Sequence, residues 1–328
     1  MYNLIAIGDP VIDTHIQLAD DAAECRLTQD HETHLCLDYG AKIPIVDSFQ
    51  ALGGNAPNVA VGAQKLGLTT AVVSTVGGDM NGKSMIEELK KQNVNTDYIT
   101  FDAKAKTRYS MILNYKGERT ILSYTDKKKY QWPEKFPATE WIYYTGLSEG
   151  FEDVQRNLTK LLTDHPTIRL VINPGSYLLK YALRDLRDMV ARTDILIVNK
   201  EEGEKILGET EKDAKSMGAI MRGLLGKGAK EVVLTDGIKG AWAADENELW
   251  HLDPYPVPVV AKTGAGDAFS AGYLAARHAG HDIPHALEWG TANASSVVQG
   301  HGVQTGLLSE KEAIEMITRF SQVKPQLI

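Results

Sequence analysis

Cysteine is scarce in this chain: Cys25 and Cys36 are the only two among 328 residues. Two thiols make no disulfide framework, and their spacing is not that of a CxxC zinc half-site. Positive charge is also in deficit, with 35 Lys+Arg against 43 Asp+Glu and a formal net charge of −8. That balance argues against a nucleic-acid partner, because phosphate contacts need clustered cations. The longest basic run, Lys127-Lys128-Lys129, follows Asp126 and reads as a solvated face. No apolar run approaches the roughly 20 residues of a spanning helix, so no membrane partner is expected. The N-terminus lacks the basic head and long apolar segment of a secretory signal and reads as a strand entering a polar turn. A reducing cytoplasm is the expected compartment. The nine histidines lack HxH or HExxH spacing, so no transition-metal site is expected.

What is present is ordinary for a soluble globular chain: 43% hydrophobic and 24% charged residues. The length suits one large α/β domain or two modest ones. Leu4–Ile7 reads as a buried strand. About Thr14 to Gln50 is polar and irregular, with weak strand signals at Thr33–Leu37 and Ile43–Val46. Gly53 to Asn58 opens a small-residue helix, with Pro57 in its first turn and Gly67 at its end. Thr70–Thr75 is a β-branched strand, and Gly82–Asn93 an amphipathic helix. Thr107–Asn114 and Arg119–Tyr124 bracket a turn and predict a hairpin. Strands at Trp141–Thr145, Arg169–Asn173, Ile195–Asn199 and Glu231–Thr235 then alternate with helices. The helices are Phe151–Thr163, Leu178–Ala191, Lys212–Leu225, Ala265–Ala279 and His285–Gln299. Such alternation predicts an α/β fold with a mostly parallel sheet covered on both faces. Residues 14–50 and 107–124 break the pattern and are expected to form a small β lid. Residues 1–13, 51–106 and 125–328 would form the core.

Three glycine-rich segments compete for phosphate. Gly77 to Ser84 satisfies GxxxxGK[ST], in which Lys83 would reach phosphate and Ser84 a magnesium ion. It follows a later strand than P-loops usually do, and a plain strand-to-helix turn accounts for it equally. Thr263-Gly264-Ala265-Gly266-Asp267 offers successive N–H groups at a helix N-terminus, where an anion is favoured. Asp267 beside such a cradle suits a general base for a hydroxyl attacking phosphorus, or else is a helix cap. Thr235-Asp236-Gly237-Ile238-Lys239-Gly240 is a β-turn or a close backbone approach to a nucleotide.

Taken in order, these motifs resemble the ribokinase-like (PfkB) carbohydrate kinase family over nearly the whole chain. Gly8-Asp9-Pro10-Val11-Ile12-Asp13 resembles its GDxxxD element, and Gly53-Gly54-Asn55-Ala56-Pro57-Asn58 its first signature. Gly77 to Gly82 resembles its G-x-D-x-x-G turn, which counts against a P-loop. Asn199-Lys200-Glu201-Glu202 resembles its NxxE motif, and Gly264-Ala265-Gly266-Asp267 its second signature. The resemblance implies a three-layer α/β/α core with a β-sheet lid. It implies transfer of the γ-phosphoryl of MgATP to a hydroxyl of a sugar or sugar derivative, with a nucleoside as the alternative acceptor. It implies Asp267 as base and the Gly264, Ala265 and Gly266 amides as an anion hole. Asp13, Gly53, Gly54 and Asn58 would bind the sugar, with Arg108 on the lid as a further contact. Asn199, Glu202, Thr235, Gly237, Gly240 and Asn293 would serve the nucleotide, Glu202 organising Mg²⁺ through water. Ala261 stands where members activated by potassium carry a ligating Asp, so K⁺ dependence is not expected; Lys262 is a candidate for the missing charge. A lid-to-lid homodimer is a further expectation, since lid strands leave unpaired edges. A P-loop NTPase and a catalytically silent binding protein are the rivals from other classes.

Overall fold

The computed structural model describes residues 1–27, 33–208, 216–300 and 302–328. The chain opens with β1 (Tyr2–Ile7), β2 (Val11–Leu18), the short pair β3 (Glu24–Leu27) and β4 (Thr33–Cys36), then β5 (Ile45–Gly53) and α1 (Asn55–Lys65). Next come β6 (Thr70–Gly77), α2 (Met80–Lys91), β7 (Ile99–Asp102) and the hairpin β8 (Tyr109–Tyr115) and β9 (Glu118–Tyr124). An alternating stretch follows: β10 (Thr139–Tyr144), α3 (Glu152–Asp164), β11 (Arg169–Ile172), α4 (Ser176–Tyr181), α5 (Leu183–Val190) and β12 (Ile195–Asn199). It continues through α6 (Lys200–Leu207), α7 (Met217–Gly226) and β13 (Glu231–Thr235). The last elements are β14 (Ala241–Ala244), β15 (Leu249–Leu252), α8 (Ala265–His278), α9 (Ile283–Val297), α10 (Glu310–Arg319) and β16 (Gln326–Leu327).

Ten strands form the central sheet in the order β16-β15-β14-β13-β12-β11-β10-β1-β6-β7. Pairing is parallel from β13 to β7 and antiparallel from β13 to β16. All eight residues of β6 are buried, as a strand covered on both faces requires. One face packs on α1, α2, α8 and α9, the other on α3 to α7. Leu158, Leu186 and Leu224 are fully buried on the second face, and each such side chain contributes about 2 kcal/mol. β1 has β6 on one side and β10 on the other. The chain therefore runs both ways from β1, and the cleft beyond the carboxyl ends of β1 and β10 is where such folds bind ligands.

The lid is a four-stranded sheet in the order β5-β2-β8-β9. It takes residues 11–13 and 51–53, which the sequence reading left in the core. Register places Asp13 beside Ala51 and Ser110, and His15 beside Phe49 and Ile112. The polar stretch read as irregular thus holds two long strands, because a sheet with one open face tolerates polar residues along half of each strand. Three further expectations change. The helix over 178–191 breaks at Ala182, whose φ of −136° and ψ of 40° leave the helical region. The helix read from Lys212 begins at Met217, and residues 212–215 lie outside the described residues. Lys128 is not solvated: it is 2% exposed and pairs with Asp9, also 2% exposed, at 3.0 Å.

Candidate active site

Gly264 adopts a left-handed φ of 85°, and a Cβ there would lie 2.7 Å from Val303 Cα. Glycine is therefore forced by both backbone and space, and it turns the chain into α8. Gly266 and Asp267 are the second and third residues of α8, so their N–H groups precede the first intrahelical acceptors. Ala265 N–H already makes a long contact of 3.4 Å to the Lys262 carbonyl. The amides at Gly266 and Asp267 are thus the best placed for an anion, reinforced by the helix dipole.

The Asp267 carboxylate accepts a hydrogen bond from Asn58 Nδ2 at 2.8 Å, and Gln304 Nε2 donates to Asn58 Oδ1 at 3.1 Å. Asn58 is buried on α1, so its amide is held with one orientation, nitrogen toward the carboxylate. Burial pushes the Asp267 carboxyl up to about 6; the Asn58 hydrogen bond opposes this, and the Asp13 charge adds to it. Asp13 comes from β2, across the cleft. Its Oδ2 would stand 2.2 Å from a Cβ on Gly53, so any side chain there would push the carboxylate out of this position. Burial raises the Asp13 carboxyl too, while the Ser110 hydroxyl and the charges of Arg108 and Arg119 pull it back.

A second group assembles at the ends of β12 and β13, where Asn199 lies beside Thr235 in register. Asn199 and Glu202 form a reciprocal capping box: Glu202 N–H donates to Asn199 Oδ1 at 2.9 Å, and Asn199 N–H to Glu202 Oε2 at 3.0 Å. The box starts α6, a helix the sequence reading did not predict although the N-x-x-E spacing signals one. Burial raises the Glu202 carboxyl, with the Asp267 charge among the contributions, so the two acids share one field. Beyond Thr235, Gly237 and Gly240 take φ of 52° and 89°, and the Asp236 N–H donates to the Gly240 carbonyl at 3.0 Å.

Two expected assignments fail on geometry. Asn293 is fully buried, donates to the Ala268 carbonyl at 2.7 Å and accepts from Leu308 N–H at 3.0 Å. It clamps α8 to α9 and the chain before α10, so its amide is taken up inside the protein and not turned to a nucleotide. The P-loop reading fails as well. The loop before α2 is filled by Asp79, which accepts from Gly82 N–H at 2.9 Å, Thr107 N–H at 2.9 Å and Thr107 Oγ1 at 2.6 Å. Although burial opposes it, these bonds hold the Asp79 carboxyl below its ordinary value. A carboxylate already occupies the helix N-terminus a phosphate would need, and Lys83 and Ser84 are exposed on the surface.

Two contacts near this cleft have no counterpart in the sequence reading. Arg119, on β9, donates from Nη1 to Thr263 Oγ1, so the lid touches the loop before α8. Asn55 Nδ2 donates to Asn173 Oδ1 at 3.1 Å, tying the start of α1 to the end of β11. Neither contact has a signal in local spacing, since 144 and 118 residues separate the partners.

Comparison with known proteins places the chain among relatives of similar sequence and fold. The chain is 25% identical over 266 residues to a ribokinase of Staphylococcus aureus, covering 78% of this chain and 84% of the relative. It is 27% identical over 276 residues to a nucleoside kinase of Methanothermobacter thermautotrophicus, covering 81% and 84%. In fold it is similar to a nucleoside kinase structure from Methanocaldococcus jannaschii, with a TM-score of 0.76 and 21% identity over 97% of this chain and 99% of that one. A ribokinase from Cryptococcus neoformans in complex with ADP has a TM-score of 0.77 at 18% identity, over 96% and 98%. The family profile described as pfkB family carbohydrate kinase matches residues 35–310. With the matched span running from the lid to α10, and the Gly-Ala-Gly-Asp turn inside it, the chain belongs to the pfkB family of carbohydrate kinases.

Proposed function

We propose that this kinase transfers the γ-phosphoryl of MgATP to a hydroxyl of a sugar or sugar derivative held between Asp13 and Asp267. The observation that carries this reading is the Asp267 carboxylate, oriented by Asn58 within one residue of the free amides of α8. The hydroxyl oxygen forms the new bond to the γ-phosphorus as the bond to the bridging oxygen of ADP breaks. The hydroxyl proton passes to Asp267, and charge on the phosphoryl oxygens meets the Gly266 and Asp267 amides and the N-terminus of α8. Asp13, Gly53, Gly54 and Asn58 position the acceptor, and alignment of this kind contributes several kcal/mol. Asn199, Thr235, Gly237 and Gly240 hold the nucleotide.

Among the described residues no group of three His, Cys, Asp or Glu side chains is placed to hold a metal ion. That fits a magnesium ion carried by phosphate oxygens and water, with one uncommitted oxygen of Glu202 behind it. Ala261 brings no carboxylate to the loop before α8, so potassium independence belongs to the same reading. The exposed Ile45, Val46, Ile121 and Leu122 on the outer strands β5 and β9 support a homodimer through the lid. The test is ATP-dependent product formation across neutral sugars, sugar acids, sugar phosphates and nucleosides, with and without K⁺. ADP release stimulated by one sugar class is expected; stimulation by nucleosides alone would move the acceptor to that class.

A further inference from the structure

Arg108 immediately precedes β8, and its carbonyl accepts from Ile12 N–H at 3.1 Å. Alternation along β8 puts it on the same face of the lid as Ser110 and, by register, Asp13. The side chain leaves the lid and crosses to the core. Its Nη1 stands 3.9 Å from where a Cβ on Gly146 would be, at the carboxyl end of β10. There Gly146 packs on Gly175 so closely that a Cβ on Gly175 would meet Gly146 Cα at 2.3 Å. The guanidinium is thus lodged between the lid and the floor of the cleft.

Its Nε is buried without a hydrogen-bond partner, and the group makes no hydrogen bond or ion pair with any described residue. Asp13 feels its charge but does not pair with it. Other inward-turned arginines reach an acceptor through at least one nitrogen: Arg277 Nη2 donates to Glu231 at 2.7 Å although its Nε is also unpartnered, and Arg187 Nε donates to the Ile206 carbonyl at 2.6 Å. A half-buried cation without a hydrogen-bond acceptor costs desolvation that the Asp13 charge offsets only through space. Neutral sugar hydroxyls do not require one, whereas a carboxylate or phosphate takes a guanidinium in a two-pronged contact.

Resting on the kinase reading above, we propose that Arg108 receives an anionic substituent of the acceptor, a carboxylate or a phosphate ester. The substrate is then an acidic sugar derivative, with its charged group toward β10 and its reacting hydroxyl toward Asp267. The test uses matched pairs: a sugar acid against the corresponding neutral polyol, and a sugar monophosphate against the free sugar, with a nucleoside alongside. ADP release by the full chain is measured with each. One anionic member is expected to exceed its neutral partner by at least about tenfold in kcat/KM, and which pair does so distinguishes carboxylate from phosphate. In Arg108→Gln that preference falls by about 10- to 100-fold, with partial return in Arg108→Lys. Equal use of neutral and anionic members, or an unchanged preference in Arg108→Gln with a native melting profile, overturns the inference while the kinase reading stands. Calorimetric binding of the same pairs to the wild-type chain scores ligand choice separately from turnover. Tighter binding of a neutral member overturns the inference even if phosphorylation is absent, an absence that would count against the kinase reading instead.

Discussion

At the scale of single residues, the proposed role of Asp267 requires a carboxylate both basic enough to take a proton and ionised at working pH. Burial and the Asp13 charge raise its carboxyl to about 6, and the Asn58 hydrogen bond limits the rise. The base form is lost as pH falls through that value. The kcat/KM profile should therefore fall on its acid side with an apparent pKa of about 6. In Asp13→Asn one contributor to the rise is gone, so the limb should move to lower pH. A limb that stays at 6 or moves up would assign it to another group. That Asp267, Asn58 and Asp13 come together was legible because each sits in a short motif. Lys128 was not, since a run of three lysines reads as surface. Nothing local says that the middle one meets Asp9, 119 positions earlier in the chain. Asn293 misled for the opposite reason: an amide in a small-residue helix segment looks available until the carbonyl of Ala268 and the N–H of Leu308 are seen to use it.

Elements differ in how much of themselves they declare. β12 and β13 match the sequence reading residue for residue, because buried parallel strands are short apolar runs between turn residues. α6 and α10 were missed although capping boxes at Asn199–Glu202 and Ser309–Glu312 mark their starts. Lid strand β2 was missed, and β5 was signalled only weakly at its start by Ile43–Val46, because their alternation is diluted by polar residues. Where the lid strand β2 leaves β1, Asp9 accepts from Tyr130 Oη and Ser148 Oγ at 2.7 Å each and pairs with Lys128. This cluster ties the chain entering the lid to the chain returning from it. Lys128→Met leaves Asp9 buried without its cation and should lower unfolding free energy in urea by about 3 kcal/mol; a loss under about 1 kcal/mol would mean that the hydroxyls suffice. At α2, the capped turn leaves Lys83 in solvent. Lys83→Ala should keep kcat and the KM for ATP within about twofold, since exposed substitutions away from a site change little. A drop of a hundredfold would restore the P-loop.

On the scale of the whole molecule, the candidate site belongs to no single element. The proposed base comes from α8, its orienting amide from α1, the carboxylate proposed to bind substrate from the lid and the turn proposed to hold the nucleotide from the ends of β12 and β13. Arg119 on Thr263 links the lid to the loop before α8. Arg119→Ala should speed amide hydrogen exchange across β8 and β9 while leaving β10 to β12 unchanged; uniform exchange would deny that contact a role in holding the lid. Long-range pairings of this kind are what sequence spacing conceals, whereas order of motifs along the chain reveals the fold that makes them. The most direct measurement of the central claim is turnover by Asp267→Asn with saturating MgATP and the preferred acceptor. The substitution keeps size and a hydrogen-bonding head but removes the proton acceptor. We expect kcat to fall by at least about 100-fold with ATP affinity and unfolding midpoint near wild type. Retention of more than a tenth of wild-type kcat would contradict the assignment of Asp267 as the base.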